Sequence, residues 1–342
     1  MYYVGLDYHL NSSNLCILDE QGQTVKQMRV KGRWPQVMEA IKALPCPFSV
    51  AFEASCGYGL LYEQLCRIAH SVQVAHPRSL RLIYKAKRKN DRIDAAKLAK
   101  LLYVDAIPAV HVPSMAGRDW RRLVELRRTL VRRRVAVKNQ MRALLNNLGL
   151  ESPRKLFSCK ALAELGQRAM NERSALERDL LLEQLRQFSE QIRRVQRELN
   201  QIGQGDPRVT LLQSVPGVGP RTAEAFCAYV DRIERFGRSN KLGSYFGLVP
   251  CQDASAGANR LGHITKEGPS AVRQMLTEAA WMGIRKDKGL QAKFERICHG
   301  RPERRKIAVV AIAHHLACAM GAMLRSGQAW RSTRQAAKPA AA

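Results

Sequence analysis

The stretch of residues 85–100 on which the fold assignment rests is Lys85-Ala-Lys-Arg-Lys-Asn-Asp91-Arg-Ile-Asp94-Ala-Ala-Lys-Leu-Ala-Lys100. Asp91 and Asp94 stand three residues apart at the start of a helix-forming run, so on an α-helix their carboxylates share one face, one turn apart. Basic residues surround the pair: Lys85, Lys87, Arg88, Lys89, Arg92, Lys97 and Lys100. Aspartate is also favoured at any helix start, because it caps the first turn. The pair alone therefore leaves a structural and a catalytic interpretation open.

The overall charge favours a polyanionic partner. The 342 residues carry a formal net charge of +28, which is typical of proteins that bind nucleic acid, with an anionic membrane as the second candidate. No apolar run of about 18 residues suggests a membrane span, and the N-terminus lacks the order of a signal peptide. Nine scattered cysteines without CxxC or zinc spacing fit a reducing compartment. We therefore expect a cytoplasmic nucleic-acid-binding protein without a membrane partner.

Two apolar runs upstream of the aspartate pair end in acids. Tyr2–Asp7 and Phe48–Glu53 each predict a strand that delivers a carboxylate at its tip. Further strands are predicted at 14–18, 24–30 and 72–75, and helices at 34–44 and 57–70. With the helix at 91–100, the order is β-β-β-α-β-α-β-α, which predicts a mixed sheet with helices on its faces. His9 and His76 follow predicted strands and could touch DNA or metal, but ordinary surface or packing roles are the simpler interpretation.

This order, over residues 1–110, resembles the ribonuclease-H-like (RuvC-like) fold of resolvases and transposases. In that fold the first and fourth strands are central neighbours, so Asp7 and Glu53 would be adjacent and the helix of Asp91 and Asp94 would pack across them. Four converging carboxylates repel one another unless a cation lies between them. Oxygen ligands suit Mg²⁺, with Mn²⁺ as a substitute, and two such ions can hold both oxygens of a phosphate displacement. The structural alternative is that the two strand-end acids merely begin loops.

Residues 111–206 predict two long helices, each with a heptad seam, and the seam of the first helix carries two arginines. The first seam follows a spacing of three and four through Trp120, Leu123, Arg127, Leu130, Arg134, Val137, Met141, Leu144 and Leu148. The second runs through Leu181, Leu185, Phe188, Ile192, Val195, Leu199 and Ile202. Such helices form either an antiparallel hairpin within the chain or a coiled coil with a partner chain. The seams leave both arrangements open.

The first of these helices also carries an arginine-rich face. Arg128, Arg132 and Arg133 belong to a set of arginines with few opposing acids, and the planar guanidinium suits phosphate. We therefore predict that this face grips a nucleic-acid backbone. A charge run is often only a solvated face, and that interpretation stays open.

Residues 207–325 predict a third, mostly helical domain, followed by a disordered tail at 326–342. Gly217 and Gly219, between two helical runs, resemble the turn of a helix-hairpin-helix motif, whose backbone N–H groups bind phosphate. Residues 251–268 predict an irregular loop that holds Ser255 exposed, with Arg260 and Lys266 nearby to bind a phosphate. Helices are predicted at about 269–285 and 306–324.

The combination is more specific than its parts. The four acids, the helical middle and the motifs Val215-Pro-Gly-Val-Gly219, Gly247-Leu-Val-Pro250, Ser255-Ala-Gly257 and Gly262-His-Ile-Thr-Lys-Glu-Gly268 resemble the DEDD transposases of bacterial insertion sequences, serine-dependent recombinases guided by a bridge RNA. The resemblance covers about residues 2–325. It implies that the acids bind magnesium and that a dimer or tetramer shares active sites between chains. It also implies that Ser255, matched backwards from the Thr-Lys-x-Gly motif, forms a phosphoserine link to DNA, although many relatives have Ser-Gly where this chain has Ser-Ala-Gly.

The sequence thus predicts a recombinase that cuts and rejoins donor and target DNA with Mg²⁺ and a serine nucleophile. One alternative is a metal-only nuclease of the resolvase type, in which water attacks and Ser255 is only a loop residue. The other is a non-catalytic RNA- or DNA-binding protein, against which the intact set of four acids argues.

Overall fold

The computed structural model describes residues 1–44, 47–55, 57–83, 91–255 and 258–332. The chain divides into two compact units, Met1–Met115 and Ala116–Ala342. The basic residues at 85–89 and the Ala256-Gly257 step lie outside the described residues. The finer division at residues 110, 206 and 325 stays a prediction.

The first unit is built on a five-stranded mixed sheet. Its strands are β1 (Tyr2–Asp7), β2 (Ser12–Leu18), β3 (Thr24–Lys31), β4 (Phe48–Glu53) and β5 (Ser71–Ala75), in the spatial order β3-β2-β1-β4-β5. The β1–β2 and β2–β3 pairs are antiparallel, whereas β1–β4 and β4–β5 are parallel. The predicted mixed sheet and the central pairing of the first and fourth strands are therefore confirmed.

Among the described residues of this unit, four helices accompany the sheet: α1 (Trp34–Lys42), α2 (Tyr58–Leu65), α3 (Pro77–Ile83) and α4 (Asp91–Tyr103). The central strands are apolar on both faces because helices cover them: Val4 and Leu6 are buried on one face, and Cys16, the register partner of Gly5, is buried on the other. The helix predicted at 57–70 is shorter, and α3 was not predicted from the sequence. The strand order and the helices on the sheet are compatible with a ribonuclease-H-like fold.

Two long helices of the second unit, α5 (Met115–Asn147) and α7 (Glu172–Gln204), pack against each other within the chain. Met141 near the end of α5 shares a buried cluster with Leu185 near the start of α7, whereas Trp120 shares another with Leu199. The helices are therefore antiparallel, as in the hairpin alternative. Helix α6 (Cys159–Gln167) lies between them in sequence.

The rest of the second unit is a helical core with one hairpin. Its helices are α8 (Pro207–Leu212), α9 (Pro220–Val230), α10 (Lys241–Tyr245), α11 (Ser270–Lys286), α12 (Lys288–Cys298) and α13 (Arg305–Ser326). Strands β6 (Pro250–Ser255) and β7 (Ala258–Ile264) pair antiparallel. The prediction of an irregular loop over residues 251–268 is thus wrong over most of its length. Small residues have low strand propensity, so the local sequence did not predict this pairing.

The end of the described chain corrects two further expectations. The helical segment Pro302–Ser326 contains an 18-residue stretch with a mean hydropathy of 2.0, which by length and composition alone could cross a membrane, so the expectation that no such run exists is wrong. Ala308, Ile312 and Leu316 within it are fully buried in the core of the second unit, which accounts for its apolar composition. The disorder predicted from residue 326 does not hold for the first residues of that segment, since the Trp330 indole N–H donates to Asp287 Oδ2 at 3.3 Å.

Seven of the cysteines fall within the described ranges, and these seven are free: Cys16, Cys66, Cys159, Cys227, Cys251, Cys298 and Cys318.

Candidate active site

Two of the predicted acids lie at one edge of the sheet. Asp7 ends β1 and Glu53 ends β4, and the parallel register places Leu6 opposite Phe52, one position before each acid. Parallel neighbours end at the same edge, so Asp7 and Glu53 stand at adjacent strand ends on one edge of the sheet. The parallel pairing of β1 with β4 therefore argues against the alternative that Asp7 and Glu53 begin two unrelated loops.

The other two acids reach this edge through a close helix–strand contact. Asp91 and Asp94 occupy the first turn of α4, where the helix dipole favours negative charge. The same helix lies directly on β1: a Cβ added to Gly5 would be 2.0 Å from the Ala95 carbonyl oxygen and 2.4 Å from the Ala99 nitrogen. The first turn of α4 is thereby carried to the end of β1, where Asp7 stands.

Three side chains form a compact group at this point. The ligand atoms of Asp7, His9 and Asp91 all lie within 4.8 Å of one another. His9 Nε2 is 3.2 Å from Asp7 Oδ2, and the Asp7 side chain is 14% exposed, against 52% for His9. No other group of three or more such side chains has this spacing in the part of the chain that the structure describes.

The electrostatics of Asp7 fit a cation site. Burial raises the pKa of the Asp7 carboxyl above its ordinary value; the neighbouring charges of Asp91 and Asp94 raise this pKa further, and His9 lowers it. Carboxylates that disfavour one another's ionisation are stabilised by a cation between them. Two carboxylates and one imidazole are suitable donors for a divalent metal ion, so the side chains present fit one.

The remaining acids lie beside this group. Asp94 forms an ion pair with Lys97, whose Nζ donates to Asp94 Oδ1 at 2.9 Å, and the charge of Asp94 raises the pKa of Asp7. Glu53 shares the sheet edge but does not belong to the three-residue group. The structure thus brings Asp7 and Asp91 together most closely. It also brings His9 into the group, which the sequence offered as a possible metal or DNA contact but for which an ordinary surface or packing role was the simpler interpretation.

The structure places Ser255 at the end of β6, where its register partner is Ala258 on β7. The residue therefore stands at a hairpin tip instead of in an irregular loop. Arg260 follows on β7, opposite Asp253, and is exposed.

The Thr-Lys-x-Gly segment after this hairpin is laid against α10. Lys266 is exposed and has a left-handed backbone with φ of 54°, and its N–H donates to the Gly247 carbonyl at 3.3 Å. A Cβ added to Gly268 would be 1.9 Å from the Tyr245 carbonyl oxygen. Two glycines of the motifs quoted from the sequence, Gly247 and Gly268, are thus required for backbone packing.

Comparison with protein families identifies the chain. Residues 4–149 match the model of the DEDD transposase of IS110 elements, and residues 209–295 match the transposase family described as IS116/IS110/IS902. The two matches together include more than half of the chain, with all four predicted acids in the first and Ser255 in the second. The chain belongs to the IS110 family of insertion-sequence transposases.

Three similar proteins carry related names. The transposase is 29% identical to the transposase for insertion sequence element IS1111A of Coxiella burnetii, over 96% of this chain and 91% of the relative. It is 27% identical to the transposase for IS1328 of Yersinia enterocolitica and to a probable family 20 transposase of Pseudomonas aeruginosa, each over 91% of this chain and 92% of the relative. Membership of this family implies DNA cutting and rejoining, which favours an enzyme over the non-catalytic alternative.

The predicted phosphate-gripping arginines of the transposase differ in their surroundings. Arg132 and Arg133 are exposed on α5. Arg128 is 23% exposed; its Nη1 lies 3.4 Å from Glu125 Oε2 and donates to Ser270 Oγ at 3.1 Å. Arg132 and Arg133 are therefore better placed for an external phosphate than Arg128.

The two glycines of the predicted hairpin motif also differ. Gly217 has a left-handed φ of 90°, and a Cβ there would be 2.4 Å from the Ala279 carbonyl oxygen of α11. Gly219 caps the start of α9 and has no atom within 4 Å of the position of an added Cβ. Gly217 has a packing reason of its own, whereas the space beside Gly219 is open. Phosphate binding by this turn stays a prediction.

Proposed function

We propose that this transposase is a site-specific recombinase that cuts and rejoins DNA through a covalent phosphoserine at Ser255, with a divalent cation held by Asp7, Glu53, Asp91 and Asp94. The observation that carries the proposal is the meeting of Asp7 and Asp91, from elements 84 residues apart in sequence, within 4.8 Å. Acids from separate elements that converge despite mutual repulsion are typical of phosphoryl-transfer sites.

The proposed chemistry consists of two successive transesterifications at the same phosphorus, so a phosphodiester is present after each step. Ser255 Oγ forms a bond to phosphorus while the bond to one deoxyribose oxygen breaks, and that oxygen takes up a proton as it leaves as a hydroxyl. A hydroxyl of another strand then attacks the same phosphorus, and Ser255 regains its proton. The exposed side chains of Arg260 and Lys266 would hold the phosphate between the two steps.

The acids prepare the phosphate for this attack. A bound Mg²⁺, or Mn²⁺ in its place, would neutralise phosphate charge, and two ions would do so for both the attacking and leaving oxygens. Asp7 and Asp91 would hold the cation directly. Asp94, paired with Lys97, and Glu53, at the same sheet edge, would complete its surroundings.

The wider partners belong to the same proposal. The net charge of +28 supports binding of donor and target DNA together with a structured guide RNA, since phosphates provide the matching charge. The resemblance supports a dimer or tetramer with shared active sites, and the scattered cysteines support a cytoplasmic location.

The test is a search for the covalent intermediate. Wild-type protein, incubated with DNA that carries its element ends and with Mg²⁺, should give a protein–DNA adduct on a denaturing gel. Ser255→Ala should bind DNA and cation normally but give neither adduct nor recombinant product. Ser270→Ala is the matched control, because it removes another exposed serine hydroxyl of the second unit, one that accepts a hydrogen bond from Arg128. This variant should still form the adduct.

Two other outcomes have definite meanings. If Ser255→Ala still nicks DNA at the wild-type rate in Mg²⁺, water is the nucleophile and the metal-only nuclease is the correct function. The observation that favours the metal-only nuclease is that Asp7 and Asp91 can bind a cation without any contribution from a serine. If inactive Ser255→Ala and inactive Asp91→Asn proteins restore activity when mixed, the active site is built from two chains.

A further inference from the structure

His9 has the position of a metal ligand. Its Nε2 lies 3.2 Å from Asp7 Oδ2, and both atoms lie within 4.8 Å of an Asp91 oxygen. Adjacent ligands of an octahedral cation with bonds of about 2.1 Å are about 3 Å apart. The Asp7–His9 separation therefore matches two neighbouring ligands of one ion.

The backbone of His9 is held where this geometry requires it. The His9 N–H lies 3.4 Å from Ser13 Oγ, and the Ser13 hydroxyl donates back to the His9 carbonyl at 3.5 Å. Ser13 is itself fully buried in β2. The segment after β1 is thereby tied to the sheet, and the imidazole is kept beside the end of the strand.

We propose that Asp7, His9 and Asp91 form a mixed nitrogen–oxygen site that binds a divalent transition-metal cation, with Mn²⁺ preferred over Mg²⁺. This rests on the proposed function, which places a cation at the same edge, and changes its ligand set from oxygen alone to oxygen with one imidazole. Imidazole nitrogen suits transition cations, whereas Mg²⁺ prefers oxygen and keeps several waters. His9 would thus select the metal.

The experiment measures metal binding directly, without turnover. Mn²⁺ is titrated into the full-length protein and its free signal is followed by electron paramagnetic resonance; Mg²⁺ affinity is obtained by competition. Electron-spin-echo modulation then reports whether a ¹⁴N nucleus is bonded to Mn²⁺, and ¹⁵N-histidine labelling identifies it as histidine. The variants are His9→Gln, Asp7→Asn and, as the matched control, His76→Gln.

His76 suits the control because it is an exposed histidine after a strand of the same unit and lies outside the group. Wild-type protein and His76→Gln should show histidine modulation. His9→Gln should lose it and bind Mn²⁺ about tenfold more weakly, with Mg²⁺ affinity almost unchanged because water replaces the imidazole. Circular dichroism confirms that each variant is folded.

The outcomes separate this inference from the proposed function. If Mn²⁺ binds, requires Asp7 and shows no histidine modulation, the acid site is correct and the role of His9 is overturned. The role of His9 is also overturned if His9→Gln keeps the modulation. If Mn²⁺ does not bind, or binds Asp7→Asn as tightly as wild type, both the acid site and the mixed site are wrong.

Discussion

At the scale of single residues, Glu224 on α9 is the acid whose ionisation is most changed by folding among those with a resolved shift. Its side chain is 2% exposed, its Oε1 lies 2.9 Å from Arg221 Nη2, and its Oε2 is buried without a hydrogen-bond partner. Burial raises the pKa of Glu224 to about 7, although the charges of Arg221 and Arg127 lower it. Gly203 of α7 makes room for this carboxyl, since a Cβ there would lie 2.7 Å from Oε1.

This pKa predicts a pH-dependent stability. A carboxyl whose pKa is higher in the folded state binds its proton more tightly there, so the stabilisation is complete below about pH 4.5 and is lost as the pH rises through about 7. Wild-type protein should therefore lose unfolding free energy relative to Glu224→Gln between pH 5 and 8. The expected change is a few kcal/mol, since one pKa unit corresponds to about 1.4 kcal/mol.

Urea unfolding followed by tryptophan fluorescence measures this difference, because Trp120, Trp281 and Trp330 all lie in the second unit. Glu303→Gln, which removes one exposed carboxylate, controls for net charge. A wild-type-minus-Glu224→Gln difference that does not vary with pH would contradict the assigned pKa.

At the scale of secondary-structure elements, the contact between β1 and α4 determines the position of the acids. It is made by small residues: Cys16, Ala95 and Ala99 are buried together beside Gly5. Gly5 has an ordinary extended backbone within β1, so its role is to leave space for the helix. A side chain there would separate Asp91 from Asp7.

Gly5→Ala tests this packing. Its Cβ would have to displace the α4 backbone, and overpacking of this kind costs about 1–3 kcal/mol. We expect lower stability in urea, faster hydrogen exchange in residues 91–103 and weaker Mn²⁺ binding. Gly237→Ala, where an added Cβ meets no atom within 4 Å, should change none of these. Unchanged metal affinity in Gly5→Ala would show that the acids do not depend on the close approach.

At the scale of the whole molecule, the excess of positive charge governs how the transposase meets nucleic acid. The net charge of +28 cannot be neutralised within the chain, so phosphate binding should release counterions and depend strongly on salt. Arg132 and Arg133 are exposed on α5. On α7, Arg193 and Arg197 lie 2.9 and 3.9 Å from Glu190 and are equally accessible at 70%.

Replacing Arg132 and Arg133 with Gln should flatten the slope of log K against log salt by about 1.8 for duplex DNA, or about 0.9 per phosphate contact. Replacing Arg193 and Arg197 removes the same charge from side chains already engaged by an acid, and should leave the slope nearly unchanged. Equal slopes for both double variants would mean that the α5 face is only solvated and acts through net charge.

The sequence by itself determined the order of the strands and of three of the four described helices in the first unit, together with the acids at the strand ends; α3 was missed. This order could be predicted because alternation, helical periodicity and turn residues are local signals. The sequence also predicted the seams of α5 and α7, because a spacing of three and four repeats over many turns. It did not predict whether those seams meet within one chain or between chains, since both arrangements bury the same residues.

Only the tertiary structure decided how distant residues meet. It placed His9 beside Asp91, 82 positions away, and paired β6 with β7 across a segment whose small residues gave no strand signal. It also explained Gly5, which is unremarkable in sequence and required only because the backbone of α4 passes over it. Local patterns specify which element a residue joins, but the distances that make a metal site or a close contact arise only when elements pack.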